Sequence, residues 1–539
     1  MIAKQLIEPK SIVVVGGSDD IHKPGGTVLR NLQDGNFKGS LYVVNPKMDE
    51  VQGIKAYRDV KDLPEVDCAI LAIAAKFCPS TVEVLAKQKN TKAFIILSAG
   101  FHEENEEGAK LERQIVETIN SVGGSLIGPN CIGVLTNHYS GVFTSPIPEL
   151  NPQGVDLISG SGATALFIMD SGMQKGIKFN SMYSVGNSAQ LGVEEILEYM
   201  DESFDPKTSS RVKLLYVESI EKPEKLLKHA SSLIRKGCRI AAVKSGGSAA
   251  GSRAASSHTG ALASSDVAVE ALFRKAGIVR CNGRDELMTV AGIFMHPEMK
   301  GRNMAVVTHA GGPAVMLTDA LSNGGMDVPH IEGEKAQELL GKLFAGSSVG
   351  NPIDFLATGT AEQLGYILDA CDRDFDNIDG MAVIFGSPGL FPVFDVYNVL
   401  DEKMKTSKKP IFPIFPSSKI VKDEIAEFVS KGRVYFPDEV LFGNALCKIY
   451  KTPAPQPEHF EMPDMDVKKI REVVDNAQNG YLSPDEIHAL LDAAGVARAK
   501  EGVSDNEEEI VKMAKEIGFP LVMKVVGPIH KSDVGGVVL

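Results

Sequence analysis

The sequence predicts an α/β protein of several domains, each built on a mostly parallel sheet. Three observations predict it. Short β-rich apolar runs, most about five residues long, alternate with amphipathic stretches along the chain. Glycine or asparagine follows several of these runs, as where parallel strands buried on both faces hand over to helices. The chain has 539 residues, too many for one core, so three or four domains are expected.

The first domain is expected over residues 1–145. Its strands are Ser11–Val15, Leu41–Val44, Cys68–Ile73, Ala93–Leu97 and Ser125–Ile127. Prolines 146, 148 and 152 then break the rhythm. A second unit over 150–297 takes strands Val155–Ile158, Phe179–Ser184, Val212–Val217 and Arg239–Lys244. A third, over 298–450, opens at Gly301–His309 and continues with strands near Gly380–Phe385 and Pro410–Phe415. Residues 451–465 are proline-rich and poor in apolar side chains, and read as an extended linker. The last unit, 466–539, has a helix starting at Ser483-Pro-Asp-Glu, with Ser483 as N-cap and proline in the first turn. A helix over Glu508–Ile517 and a strand over Pro520–Val526 follow. The chain stops at Leu539 inside an apolar run, so this unit is expected to be a partial domain.

Composition narrows the function. The formal charge is −14, with no basic cluster, which disfavours nucleic acid and anionic membranes as partners. An anionic ligand must then be held by backbone N–H groups and single lysines. The seven cysteines are widely spaced and form no CxxC pair, which reads as reduced thiols in a cytoplasm. No apolar stretch reaches the length of a membrane span, and the N-terminus does not read as a signal peptide.

Several loops carry candidate chemistry. Val13-Val-Val-Gly16-Gly17-Ser18 is a strand–glycine turn before a helix, suited to bringing backbone amides to phosphates, or simply to a βαβ connection. The spacing is not GxGxxG. The second strand ends in Asn45-Pro-Lys47 rather than the acidic residue a nicotinamide ribose needs, and a lysine there suits a phosphorylated nucleotide. Ser98-Ala99-Gly100-Phe101 and Gly128-Pro-Asn130-Cys131-Ile-Gly133 also follow strands, so three loops are expected to converge on one crevice. Cys131 lacks an evident partner histidine and reads as packing beside a ligand. Ser159-Gly-Ser161-Gly162-Ala163 follows a strand and opens a helix, and can ring an anion with N–H donors.

His258 stands alone among small residues in Arg253-Ala-Ala-Ser-Ser-His-Thr-Gly-Ala-Leu262. It reads as an imidazole on a mobile loop, able to take a phosphoryl group, or as an exposed histidine at a helix start. Glu218, at the end of a strand, reads as a carboxylate that orients His258 through one ring nitrogen, or as a surface charge.

Taken together these loops resemble the nucleoside-diphosphate-forming acyl-CoA synthetases, of the ADP-forming acetyl-CoA synthetase type, relatives of succinyl-CoA synthetase. The most specific mark is Ala254-Ala-Ser-Ser-His258-Thr-Gly-Ala-Leu, similar to the phosphohistidine loop of that family. Supporting marks are Gly128-Pro-Asn-Cys-Ile-Gly, Ser184-Val-Gly-Asn187, Lys244-Ser-Gly, Thr308-His-Ala-Gly-Gly-Pro313 and Asn351-Pro-Ile-Asp354. The resemblance implies a Rossmann-like CoA-binding domain, two flavodoxin-like ligase-CoA domains and the start of an ATP-grasp domain. It implies CoA binding at Gly16, Gly17, Ser18, Asn45, Lys47, Ile73, Ala99, Asn130 and Cys131. It implies phosphate binding at Ser161, Gly162, Ala163 and Gly260, phosphoryl transfer through His258 with Glu218, and nucleotide contact at Lys524. His530 becomes a second phosphoryl carrier or a polar loop residue. The implied ligands are CoA, an acyl-CoA, a short-chain acid, inorganic phosphate, ADP or ATP, and Mg2+. The carboxylates for Mg2+ are expected outside these 539 residues. The implied assembly is a homo-oligomer or an association with an ATP-grasp subunit. Gly160 stands where many relatives carry a larger polar residue, which leaves backbone anion binding intact. Two other readings stay open: a CoA-sensing module without turnover, and the platform of a protein acetyltransferase.

Overall fold

The computed structural model describes residues 2–35, 37–259, 265–387, 392–457, 463–527 and 535–539, with side chains of 255–259 excepted. These form two compact units, Met1–Gln456 and Pro457–Leu539.

The first unit holds three sheets. The first contains β1 (Ser11–Val15), β2 (Ser40–Val44), β3 (Glu50–Val51), β4 (Ile54–Tyr57), β5 (Cys68–Leu71), β6 (Ala93–Ile96) and β7 (Ser125–Ile127), in the order β3-β4-β2-β1-β5-β6-β7. All neighbours are parallel except the short β3–β4 pair. Omitting β3, this is the doubly wound order of a Rossmann sheet, and its direction reverses between β1 and β5. Alternation along β1 sends Ile12 and Val14 to one core and Val13 and Val15 to another.

The second sheet contains β8 (Gly133–Leu135), β9 (Ser140–Val142), β10 (Leu150–Ser159), β11 (Phe179–Ser184), β12 (Val212–Val217), β13 (Arg239–Lys244) and β14 (Val279–Cys281), in the order β14-β13-β12-β10-β11-β8-β9. Strands β10 to β14 run parallel in the flavodoxin-like order, reversing between β10 and β12. The third sheet has β15 (Met304–Thr308), β16 (Ile353–Asp354), β17 (Gly380–Ile384) and β18 (Ile411–Ile414), all parallel, in the order β16-β15-β17-β18.

Two features differ from the sequence reading. The hairpin β8–β9 comes from residues assigned to the first domain, yet it extends the second sheet through antiparallel pairing of β8 with β11. The Asn31 side chain, on the helix Pro24–Asp34 of the first domain, donates to the carbonyls of Val142 (2.6 Å) and Thr144 (2.9 Å) and ties this hairpin back. The cores are also shared. One apolar cluster includes Ile12 and Val14 of β1 with Ile158 of β10 and Leu215 of β12. Another includes Leu157 of β10 with Met304 and Val306 of β15. Apolar clusters therefore run between adjacent sheets, so the three α/β repeats do not close as separate globules.

The segment read as a linker is also anchored at its start. The helix Glu439–Lys451 packs on the helix Gly311–Asn323. Gln456 then donates its N–H to the Lys275 carbonyl at 3.0 Å and accepts from Arg235 at 2.6 Å. All seven cysteines are unpaired and buried.

The second unit has helices Val467–Asn476, Pro484–Ala493 and Glu507–Ile517, and an antiparallel pair, β19 (Met523–Lys524) with β20 (Val537–Val538). Ser483 caps its helix reciprocally with Glu486, as the Ser-Pro-Asp-Glu pattern predicts. The predicted strand Pro520–Val526 shortens to Met523–Lys524. Ala493 is the one buried apolar side chain among the described residues of this unit. Among the described residues of the chain, no helix is long and apolar enough to cross a membrane.

Candidate functional site

The loops at the carboxyl ends of the first sheet form a connected ridge. After β1, Gly16 donates its N–H to Val44 of β2 at 3.0 Å. Asn45, after β2, donates from its side chain to the Gly17 carbonyl at 2.8 Å and accepts the Lys47 N–H at 2.9 Å. Gly16, Gly17 and Ser18 thus lie beside Asn45, with the exposed Lys47 next to them. Across the reversal point, Ser98 donates its hydroxyl to the Ile73 carbonyl. Asn130 donates its N–H to the Ser98 carbonyl at 2.9 Å, and Ala99 is exposed beside it. The ridge therefore runs from the glycine turn past Ile73 and Ala99 to Asn130.

At Asn130 the ridge meets a cleft of about 600 Å3 at the carboxyl ends of β10, β11 and β12. Asn130, Cys131, Ser161, Gly162, Ala163 and Glu218 all line it. Ser161 is the N-cap of the helix Gly162–Gln174, and its hydroxyl accepts from Thr164 N–H at 3.4 Å. Ser159 Oγ accepts the Ser161 N–H at 3.2 Å and donates to the Ser161 carbonyl at 2.7 Å, which fixes the turn. The amides of Gly162 and Ala163, in the first turn, have no partner within the helix and carry its positive dipole end. Glycine at 162 is required by contact: a Cβ there would stand 2.6 Å from Ile132 Cγ2. The end of the cleft formed by this helix N-terminus thus abuts the Asn130–Ile132 loop.

A second loop, Ser184–Ala189, locks onto the first. Asn187 donates its N–H to the Pro129 carbonyl at 2.9 Å, and Ala189 donates to the Gly128 carbonyl at 3.2 Å. Ser184 Oγ accepts the Ile132 N–H at 3.2 Å.

Glu218 sits at the end of β12 in the cleft wall, and Tyr216 donates to its carboxylate at 3.5 Å. No lysine or arginine is among the described residues lining the cleft. Three of its carboxylates are matched by donors instead. Glu194 accepts the N–H groups of Glu221 (2.9 Å) and Lys222 (3.2 Å). Glu103 accepts from Gly100 N–H (2.7 Å) and the Asn187 side chain (2.5 Å). Burial works to raise the Glu103 pKa, but these hydrogen bonds outweigh it and hold it below the usual carboxylate value. Glu112 contacts His102 Nδ1 at 2.7 Å and accepts from Asn187 at 3.1 Å. The Glu112 hydrogen bond raises the His102 pKa against the opposing effect of desolvation.

Sequence reasoning missed this His102–Glu112–Asn187–Glu103 group. Asn187 was visible in Ser184-Val-Gly-Asn187, but Glu112 comes from the middle of the helix Glu106–Ser121 and only the fold brings it in. Cys131 is 3% exposed, and burial pushes its thiol up to about 12, away from the nucleophilic thiolate.

The backbone of His258 lies near the end of the helix Ala249–Thr259, not on the loop expected from its small neighbours. Alanines at 249, 250, 254 and 255 are strong helix formers, which explains the difference. The His258 side chain lies outside the described residues, as do Gly260 and His530. Lys524 is exposed on β19. Asn351 serves the fold: its side chain bonds Val306 N–H (2.9 Å) and the carbonyls of Met304 (3.0 Å) and Pro329 (2.9 Å). Among the described residues, no three His, Cys, Asp or Glu side chains come together to hold a metal.

Comparison with known proteins agrees with this layout. A CoA-binding domain family matches residues 10–137, a succinyl-CoA ligase-like flavodoxin domain 152–294, and an ATP-grasp domain 473–539. The chain is 33% identical over 549 aligned positions to acetate–CoA ligase (ADP-forming) I of Archaeoglobus fulgidus, covering 99% of this chain and 77% of that one. It is 32% identical to the alpha subunit of acetate–CoA ligase (ADP-forming) II of Pyrococcus furiosus, covering 79% of this chain and 92% of that subunit. Among solved structures it resembles the dinucleotide-forming acetyl-coenzyme A synthetase 1 of Ca. Korarchaeum cryptofilum, in complex with phosphate and ADP. The TM-score is 0.74 and the identity 26%, over 83% of this chain and 96% of that one.

Proposed function

Since this chain belongs to the ADP-forming acyl-CoA ligases, we propose that it interconverts acyl-CoA, ADP and phosphate with a carboxylic acid, ATP and CoA, with acetyl-CoA as the acyl-CoA. One observation carries the site assignment: the ridge from Gly16 to Asn130 ends where the Ser161–Ala163 turn and Glu218 face one cleft.

CoA lies along the ridge, with its phosphates near the Gly16–Ser18 amides and Lys47, and its thioester beside Asn130 and Cys131. Phosphate sits on the amides of Ser161–Ala163, with Gly260 as a further contact. A phosphate oxygen attacks the thioester carbon, the C–S bond breaks, and CoA leaves as an acyl phosphate forms. The phosphate's proton ends on the CoA sulfur. His258 attacks the phosphorus of the acyl phosphate, the acid leaves, and a phosphohistidine remains. Glu218 receives the opposite ring N–H and holds the reactive tautomer. The phosphoryl group then passes to ADP on the ATP-grasp unit, where Lys524 meets phosphate and His530 serves as a second carrier. Splitting the transfer spares the protein from assembling CoA and ADP in one pocket. The relative that is a separate alpha subunit supports this division into half-reactions. Mg2+ on the ADP phosphates belongs to the same proposal; among the described residues no three His, Cys, Asp or Glu side chains come together to hold it. Assembly as a homo-oligomer or with a further ATP-grasp subunit belongs to the same proposal.

Labelling tests it. With acetyl-CoA and radiolabelled phosphate, acid-labile and base-stable label is expected on the peptide containing His258. Equal labelling of a His258→Ala variant would overturn the assignment.

A further inference from the structure

The acyl group must pass through a tetrahedral state whose carbonyl oxygen becomes an oxyanion, and among the described residues lining the cleft no lysine or arginine stands ready to meet it, so a side-chain amide is a fitting donor. Asn130 stands at the junction where the CoA ridge meets the phosphate turn. Its backbone is left-handed (φ 57°), which asparagine tolerates better than most residues, and its side chain is exposed to the cleft. One Nδ2 hydrogen donates to Asn187 Oδ1 at 3.3 Å. A side-chain amide has two such hydrogens, so the second is available to a ligand.

The orientation of Asn130 is imposed from behind. The Asn187 Nδ2 group faces the carboxylates of Glu103 (2.5 Å) and Glu112 (3.1 Å). Ionised carboxylates only accept, so the Asn187 amide cannot turn over, and its oxygen must point at Asn130. Glu112 is held in turn by His102 at 2.7 Å, and Glu103 by the Gly100 and Phe101 amides. None of these residues has a part in the mechanism above except Asn130, placed there only beside CoA.

We propose that the free Asn130 Nδ2–H donates to the thioester carbonyl oxygen as phosphate adds, and that Asn187, clamped between Glu103 and Glu112, is the positioning residue that aims it. This rests on the proposed function. In the step, a phosphate oxygen bonds the acyl carbon and the carbonyl electron pair moves to oxygen, where Asn130 meets it. The pair then returns and expels the CoA sulfur, which takes the phosphate's proton. Transfer from acyl phosphate to His258 breaks an O–P bond instead and has no such oxyanion.

Two measurements on the full chain separate these steps. The first is single-turnover release of CoA from acetyl-CoA and phosphate. The second is labelling of the protein from radiolabelled acetyl phosphate, which bypasses the thioester. Asn130→Ala is expected to slow CoA release about 100-fold or more, with labelling from acetyl phosphate within twofold of the parent. Asn187→Ala is expected to lower the maximal single-turnover rate in the first assay by about tenfold with the half-saturating acetyl-CoA concentration little changed, and to spare the second. Asn130 is exposed, so its variant keeps the proposal testable if Asn187→Ala unfolds. Equal losses in both assays, or no loss in the first, would overturn the inference alone. A parent protein that neither releases CoA nor takes label would overturn the functional reading with it.

Discussion

Gly186 lies so close to Pro129 that a Cβ on it would stand 2.2 Å from the Pro129 carbonyl oxygen. Its φ is +53°, a region where side chains are strained. This single approach lets the Ser184–Ala189 loop lie against the Gly128–Ile132 loop, and so brings Asn187 to Asn130. Gly186→Ala must part the loops. It is expected to destabilise the first unit by about 1–3 kcal/mol and to weaken acetyl-CoA turnover more than CoA binding. Thermal denaturation and calorimetry with CoA check both parts.

Lys47 stands exposed beside Asn45 at the far end of the ridge. A charge-assisted bond to a CoA phosphate predicts that Lys47→Ala weakens CoA binding by about 1–2 kcal/mol. NAD is expected to bind more weakly than CoA. Equal affinity for the two in calorimetry would return the first sheet to a dehydrogenase-like reading.

Glu218→Gln keeps shape but loses the charge that, under the proposed function, holds the ring N–H of His258. Labelling of His258 from acetyl phosphate is expected to slow by roughly 100-fold, with CoA affinity unchanged. An unaltered labelling rate would leave Glu218 as a wall residue only.

His296 offers a pH test of stability in the first unit. Burial lowers its pKa from 6.5 to about 4, partly offset by the hydrogen bond of Nδ1 to the Gly292 carbonyl at 2.8 Å. Its Nε2 is buried without a partner in the described structure, and its ring packs on Phe412 and Phe436. The folded state therefore holds it neutral while the unfolded chain protonates it below 6.5. Stability is retained above pH 6.5 and lost as pH falls toward 4, by up to roughly 3 kcal/mol. His296→Leu is expected to flatten the drop in melting temperature over that window.

The sequence by itself determined the repeated parallel strands. Ser11–Val15, Phe179–Ser184, Val212–Val217 and Arg239–Lys244 form as read, because runs buried on both faces need no partner's pattern to be recognised. It also marked the turns at Gly16, Asn130 and Ser161, since glycine turns and helix caps are local chemistry. Of the four three-residue strands in the first two sheets, β7 was legible, but β8, β9 and β14 carried too little periodicity to be seen. Tertiary structure alone decided that β8–β9 completes the second sheet and that adjacent sheets share cores. It also decided that Glu103 and Glu112 close on Asn187 from a turn and a neighbouring helix. Such contacts join residues up to 84 positions apart (Glu103 to Asn187), and no local pattern in a chain specifies which of its many polar side chains will meet once the apolar faces have been buried.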